Sequence, residues 1–367
     1  MNNLQFNRLL IFDGSHALHR SLSEPHLWEM RNLQGYRTGG IYGVLQTILK
    51  ESSTYNYFPV VIFDGHLSKR RLNIYPNYKK TLDKQLLLED EENLTEAQLL
   101  ELEHRREYNT QREVLKQLLP AFGIPVLHYT DWEGDDIIYL LTKMCKDCII
   151  VSDDKDLIQL VEENDNRRCR VRRGMRDEFI DNNYLKEHNI NTSDFIACKA
   201  IVGDTSDNIP SACFQVGEKT ALGLVKIYQY LLMEAETQRN TDTIQFPTNE
   251  KQLSEICNKI NVTKRKAYLN FNETQFLNNI LLMNLSLVDM EASPDLLQNM
   301  VDNIKAEYAN IDLDTIKDIL TQQNIKTFLV NNLLDNINRT KNYVDINTVE
   351  TTKNICDIKD KKVGKLF

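Results

Sequence analysis

An α/β fold built on a central, mostly parallel sheet flanked by helices is what this 367-residue chain predicts, and three apolar runs predict it: Leu9-Leu10-Ile11-Phe12, Val60-Val61-Ile62-Phe63 and Cys148-Ile149-Ile150-Val151. Each reads as a short strand buried in such a sheet. Each also leads into an acid, Asp13, Asp64, and Asp154 after Ser152-Asp153. Open α/β sheets place ligands beyond the C-terminal ends of their strands, so these acids fall where chemistry is expected.

Composition sets the outer bounds. With 41% hydrophobic and 26% charged residues the chain can bury a sizeable core, as one large domain plus a smaller one or as two intimate ones. No apolar run approaches the ~18 residues that span a bilayer, and the N-terminus enters a strand without a leader pattern, so no membrane partner and a cytoplasmic location are expected. Seven cysteines without framework spacing read as reduced core thiols; Cys145-Lys146-Asp147-Cys148 has no second pair to make a zinc site.

Along the chain, residues 1–65 read as strand, helix, strand, with Gly39-Gly40 opening the helix. Residues 66–119 interrupt that rhythm: a basic stretch with Lys69, Arg70, Arg71, Lys79 and Lys80 leads into a long charged helix. From Asp83 to Glu107 nine acids face three bases, so this part is expected to point away from phosphate. The α/β pattern resumes at Ile124-Pro125-Val126-Leu127, then at a helix opened by Glu133-Gly134-Asp135-Asp136. In Arg167–Arg176, Arg168, Arg170 and Arg172 alternate with Cys169 and Val171, as in a strand with one wet face. Two readings stay open there, a solvated edge strand or a phosphate contact. Residues 194–233 read as helices around a turn, the remainder as helix-rich, and residues from 339 on as a flexible tail.

The net charge of −9 argues at first against nucleic acid. Nine carboxylates account for all of it: Asp13, Asp64, Glu133, Asp135, Asp136, Asp154, Asp156, Asp204 and Asp207. Two carboxylates ~4 Å apart repel by ~4 kcal/mol at an effective dielectric near 20, so such a cluster needs cations. Oxygen ligands without paired histidines or thiolates favour Mg²⁺ or Mn²⁺ over zinc. Singly, Asp13-Gly14 and Asp64-Gly65 read equally as turns, Asp135 as a helix cap and Asp207 as a loop acid.

Taken in order, the motifs resemble the 5′-3′ exonuclease and flap endonuclease family. That group includes the 5′ nuclease domain of bacterial DNA polymerase I and free-standing phage enzymes, among them the T-even phage ribonuclease H. The matching segments are Phe12-Asp13-Gly14 with Arg20, Phe63-Asp64-Gly65, Arg71 through Tyr78-Lys79, Glu133-Gly134-Asp135-Asp136, Asp154-Lys155-Asp156-Leu157, Gly203-Asp204-Thr205-Ser206-Asp207-Asn208-Ile209-Pro210 and Val216 to Ala221. They span roughly residues 8–290.

The resemblance implies a PIN-like 5′ nuclease fold. It implies a nuclease domain over 1–190 with a helical arch at 66–119, a helical DNA-binding region over 191–338, and a helix-hairpin-helix element near 194–233. Asp64, Glu133 and Asp135 look like ligands of one Mg²⁺ with Asp13 near both sites. Asp154, Asp156, Asp204 and Asp207 look like ligands of a second, with Mn²⁺ as an alternative ion. Asp136 matches a family acid that orients bound water. Asp153 is an extra acid with no ligand role. Arg20, Arg71 and Lys79 match the family's basic residues, the last two neutralising charge on the phosphate. The basic residue that some relatives carry three positions on is Leu82 here, with Lys80 or Lys84 as substitutes.

Lys69, Arg70, Lys80, Arg168, Arg170 and Arg172 are candidate backbone contacts. So are Gly217, Lys219 and Thr220 at the hairpin, where the usual Gly-x-Gly turn reads Gln215-Val216-Gly217 and a K⁺ site is an open question. Leu366 and Phe367 form an apolar pair suited to docking on a sliding clamp, or a frayed end.

The expected function is a free-standing, phage-encoded, divalent-metal-dependent 5′-3′ exonuclease and flap endonuclease, since no polymerase region follows. It would remove RNA primers and flaps from DNA or RNA-DNA hybrids, with ribonuclease H activity. Alternatives are a PIN-like ribonuclease and a catalytically inactive structure-specific DNA-binding relative. Assistance from a single-strand DNA-binding protein is left open.

Overall fold

The computed structural model describes residues 5–80, 94–188, 191–237, 246–308, 310–323 and 327–341. Strands β1 (Phe6–Asp13), β2 (Phe58–Ile62), β3 (Val126–Leu127), β4 (Cys145–Val151), β5 (Glu162–Glu163), β6 (Arg168–Arg173) and β7 (Glu178–Ile180) form one sheet. Its order is β3-β2-β1-β4-β6-β5, with β7 also on β6. The β1–β2, β1–β4, β2–β3 and β4–β6 pairs are parallel; β5 and β7 join β6 antiparallel.

The chain winds outward from β1 through β2 to β3 and then crosses back to β4 on the other side of β1. That reversal is a topological switch point, where the loops beyond neighbouring strands part and leave a crevice. Register then aligns the acids. Asp13 pairs with Ile62, two residues before Asp64, and Phe12 pairs with Val151, three residues before Asp154.

Two apolar cores result. The larger buries β1, β2 and β4 between helices, with Leu10, Ile11, Val60, Val61 and Ile150 fully enclosed. The smaller gathers residues 200–283, including Ala221, Leu224, Leu253 and Phe276, and reaches Tyr78. The chain does not stay in this second body. Leu285, Met300, Ile304, Ile316, Leu333 and Ile337 return to the first core, and Asn336 hydrogen-bonds Ser53 at 2.6 Å. The helix Thr327–Thr340 therefore continues past residue 339 as part of the nuclease body.

The expected arch is described at its two ends. The helix Lys69–Ile74 begins it. The helix Glu96–Ala121 begins at a Thr95–Gln98 capping box and drives Leu115, Leu118 and Leu119 into the core. Leu82 and Lys84 lie outside the described residues, as do Leu366 and Phe367. No described helix is long and apolar enough to cross a membrane.

Strand β6 corrects the wet-face reading. It is interior to the sheet, between β4 and the β5 and β7 strands, and Arg170, Arg172 and Arg173 are buried. Asp147 accepts Arg168 Nη2 at 2.5 Å and Arg170 Nη2 at 2.7 Å, and Tyr57 donates to it at 2.6 Å. Arg172 pairs with Glu51 at 3.3 Å and also with Asp177. The three arginines expected to contact nucleic acid serve internal carboxylates instead.

Candidate active site

The cleft forms where strand ends, helix starts and one loop of the second body meet. Asp13 closes β1 and caps the helix Gly14–Ser23, accepting His16 N–H at 2.9 Å, while its other oxygen accepts Ser152 Oγ–H at 2.9 Å. Asp64 accepts Gly134 N–H at 2.7 Å. A β-carbon at Gly134 would stand 2.9 Å from that carboxylate oxygen, so glycine lets the helix Gly134–Met144 start close to Asp64 without displacing its carboxylate. Asp154 caps the short 3₁₀ turn Lys155–Leu160 by accepting Asp156 N–H at 2.8 Å.

The loop carrying Asp204 and Asp207 is folded back by a left-handed Gly203 (φ 78°), whose β-carbon would meet Ile209 O at 2.6 Å. Asp204 and Ile209 close it with reciprocal backbone hydrogen bonds of 2.9 and 2.7 Å.

Charge divides these acids into three groups. Asp13, Asp64, Asp135 and Asp154 face one another. Burial, then the charge of Asp64, pushes Asp13 up to about 6. Burial, then Asp154 and Asp13, raises Asp135 well above the usual carboxylate range. Glu133 behaves oppositely: burial resists its ionisation, but Arg71 and Lys79 overcome that and hold it at about 2. Lys79 Nζ lies 2.7 Å from Glu133 and 3.9 Å from Asp207, and Tyr78 O–H donates to both acids at 3.0 and 3.3 Å.

In the third group Lys199 Nζ contacts Asp156 and lies 3.0 Å from Asp204. Burial, then Asp154, raises Asp156 to about 6 even with Lys199 beside it. Asp135, Asp156, Asp204 and Asp207 line a narrow cleft with Tyr78 and Gln159.

Several expected residues stand elsewhere. Arg71 is enclosed: its guanidinium bonds Asp136 at 2.9 and 2.7 Å, Glu133 at 3.2 Å and Leu282 O at 2.9 Å. These contacts keep its guanidinium inside the protein, and both carboxylate oxygens of Asp136, 2% exposed, accept from it. Arg20 reaches Asp153 at 3.2 Å, and Asp153 also holds Met175 N–H at 2.9 Å, so this pair fastens one loop to a helix. Arg70 pairs with Glu291 at 2.5 Å and Lys69 with Asp131 at 3.0 Å. Lys80 is exposed.

At the hairpin, Val216 N–H bonds Cys213 O at 3.3 Å, and Gln215 takes φ 65°, the left-handed conformation that glycine adopts freely. Gly217 and Lys219 are exposed at the start of the helix Glu218–Thr237, and Thr220 Oγ1 bonds Gly217 O at 3.1 Å.

Sequence reasoning missed Lys199 and Tyr78 as site residues. For Lys199 a signal existed: it is the one charge in Phe195-Ile196-Ala197-Cys198-Lys199-Ala200-Ile201-Val202. A lysine in so apolar a helix turn calls for a buried acid.

A divalent cation fits the donor set, which is all oxygen and in which burial, then the charge of neighbouring acids, raises Asp13, Asp135 and Asp156. As the side chains stand, no three His, Cys, Asp or Glu residues among those described converge on a cation-sized point. The Lys79 ammonium lies between Glu133 and Asp207, and that of Lys199 between Asp156 and Asp204.

Comparison with known proteins agrees with this architecture. Residues 8–189 match the family described as 5′-3′ exonuclease, N-terminal resolvase-like domain. A 5′-3′ exonuclease of Aquifex aeolicus is 32% identical over 229 residues, covering 60% of this chain and 69% of that protein. A DNA polymerase I of Caldicellulosiruptor bescii is 28% identical over 254 residues, 66% of this chain, but the match spans only 27% of the polymerase. In fold, the bacteriophage T5 flap endonuclease, crystallised with DNA and metal ions, superimposes with a TM-score of 0.57 at 18% identity, over 82% of this chain and 98% of that one. The sheet, its switch point and the relatives together identify the chain as a member of the 5′-3′ exonuclease family with a PIN-like fold.

Proposed function

We propose that the chain is a divalent-metal-dependent 5′-3′ exonuclease and flap endonuclease that removes RNA primers and flaps from DNA or RNA-DNA hybrids. The observation that carries the reading is the carboxylate cleft at the switch point, where burial and neighbouring charges raise Asp13, Asp135 and Asp156. When bound, two Mg²⁺ ions would supply a nucleophilic water and hold the scissile phosphate. Asp13, Asp64, Glu133 and Asp135 would hold one ion; Asp154, Asp156, Asp204 and Asp207 would hold the other.

The chain's own groups supply the rest. The Lys79 side chain, 31% exposed, can turn its ammonium to the phosphate and neutralise charge there. Tyr78 O–H orients Glu133 and Asp207. Arg71 fixes Asp136 and the helix start that carries Asp135. Gly217, Lys219 and Thr220 form the surface that would grip duplex phosphates.

The test uses a 5′-labelled DNA flap and a matching RNA-primed duplex, each with Mg²⁺, with EDTA, and with Asp154→Asn. Magnesium-dependent release of short 5′ products, lost with EDTA and in the variant, is expected. Tight binding to both junctions without cleavage would overturn the proposal.

A further inference from the structure

The side chain of Lys199 is only 22% exposed, in an apolar helix turn, with its ammonium between two acids from different parts of the fold. Asp156 belongs to the 3₁₀ turn beyond β4, whereas Asp204 follows the helix Thr192–Val202 that carries Lys199 itself. The contact therefore pins the loop of the second body onto the sheet's edge. Both acids also line the cleft, and the Lys199 ammonium lies between them.

We propose that Lys199 is the resident counter-ion of the Asp156–Asp204 pair. It holds both acids in place while no divalent cation is bound and withdraws when one bridges them. This inference rests on the metal-dependent reading of the cleft. The argument is one of competition: a cation binds only the fraction of molecules whose acids are free of the ammonium, so the strength of the lysine pair is subtracted from the apparent affinity.

Lysine suits such a role, because a compact charge on a flexible four-carbon stem can swing away. A guanidinium, forked onto both acids, would resist displacement. Lys199 is accordingly a positioning residue. It makes the second cation site weaker and keeps its acids assembled.

Calorimetric titration with Mn²⁺, without nucleic acid, tests this on the wild type, Lys199→Met and Lys199→Arg, together with thermal melting in EDTA. Lys199→Met is expected to tighten the weaker Mn²⁺ site on the order of ten-fold. It should also lower the metal-free melting temperature and recover it on adding Mn²⁺. Lys199→Arg, which keeps the charge and the fold, is expected to bind Mn²⁺ more weakly than wild type. Wild-type or weaker affinity in Lys199→Met, or unchanged affinity in Lys199→Arg, would overturn the inference. If the wild type takes up no Mn²⁺, the metal-dependent reading itself falls, and this one with it.

Discussion

Asp147→Asn separates a structural from a nucleic-acid role for the arginines of β6. Asp147 lies beside Arg168 in the parallel β4–β6 register. It receives four hydrogen bonds: Arg168 Nε at 3.2 Å and Nη2 at 2.5 Å, Arg170 Nη2 at 2.7 Å and Tyr57 O–H at 2.6 Å. Burial resists its ionisation, yet these partners hold it below the usual carboxylate range. Asparagine would keep one acceptor oxygen and turn an NH₂ group toward a guanidinium, leaving Arg170, 6% exposed, without its counter-charge.

Removing one partner of a buried pair costs about 3–5 kcal/mol. Arg168, whose side chain is 29% exposed, can recover some solvation, which favours about 3 kcal/mol. With a urea m-value of about 3 kcal/mol/M, the midpoint should fall by about 1 M. The assay is urea denaturation followed by circular dichroism, paired with fluorescence anisotropy of a labelled duplex at several salt concentrations in the folded range. Affinity and salt slope are expected to stay at wild-type values. A midpoint within about 0.2 M of wild type, with weaker binding and a shallower salt slope, would refute the structural role.

Three further outcomes follow from the same geometry. Asp13 and Asp156 are raised to about 6. Their contribution to stability is thus complete below the unfolded carboxylate value and lost as pH rises through about 6. Denaturation in EDTA should show a loss of a few kcal/mol between about pH 4 and pH 7, smaller in Asp13→Asn and in Asp156→Asn, smallest in the double variant, and reversed by Mn²⁺ at pH 7. Arg71→Met should destabilise by about 3–5 kcal/mol by stranding Asp136, and adding Asp136→Leu should return much of it, a coupling that a double-mutant cycle in urea would measure. Gln215→Gly should raise stability by about 0.5–1 kcal/mol by relieving a left-handed side chain, read from the urea midpoint; a loss would mean that the Gln215 side chain matters more than its backbone.

The amino-acid sequence by itself determined the strands and the edge at which their acids lie, because both are short-range properties. A short run of consecutive apolar residues bounded by turn signals fits a strand buried on both faces of a sheet, and an acid that follows it falls at the strand's end. The three runs are buried strands, or their immediate continuations, in the parallel part of one sheet, and the ordered motifs sufficed to place the chain in its family.

What neighbouring residues do with identical chemistry was decided by tertiary structure. Asp135 and Asp136 are adjacent on a helix and so point about 100° apart. One faces other acids and is raised, while the other meets Arg71, 65 residues away in the chain, and is sealed. Arg168, Arg170 and Arg172 share one face of a strand, but only the packing of Glu51 and Tyr57 against that face makes it internal. Lys199 became part of the cleft in the same way. Alternation and spacing record which residues share a face, whereas the partner across that face comes from distant chain, and charge acts through space.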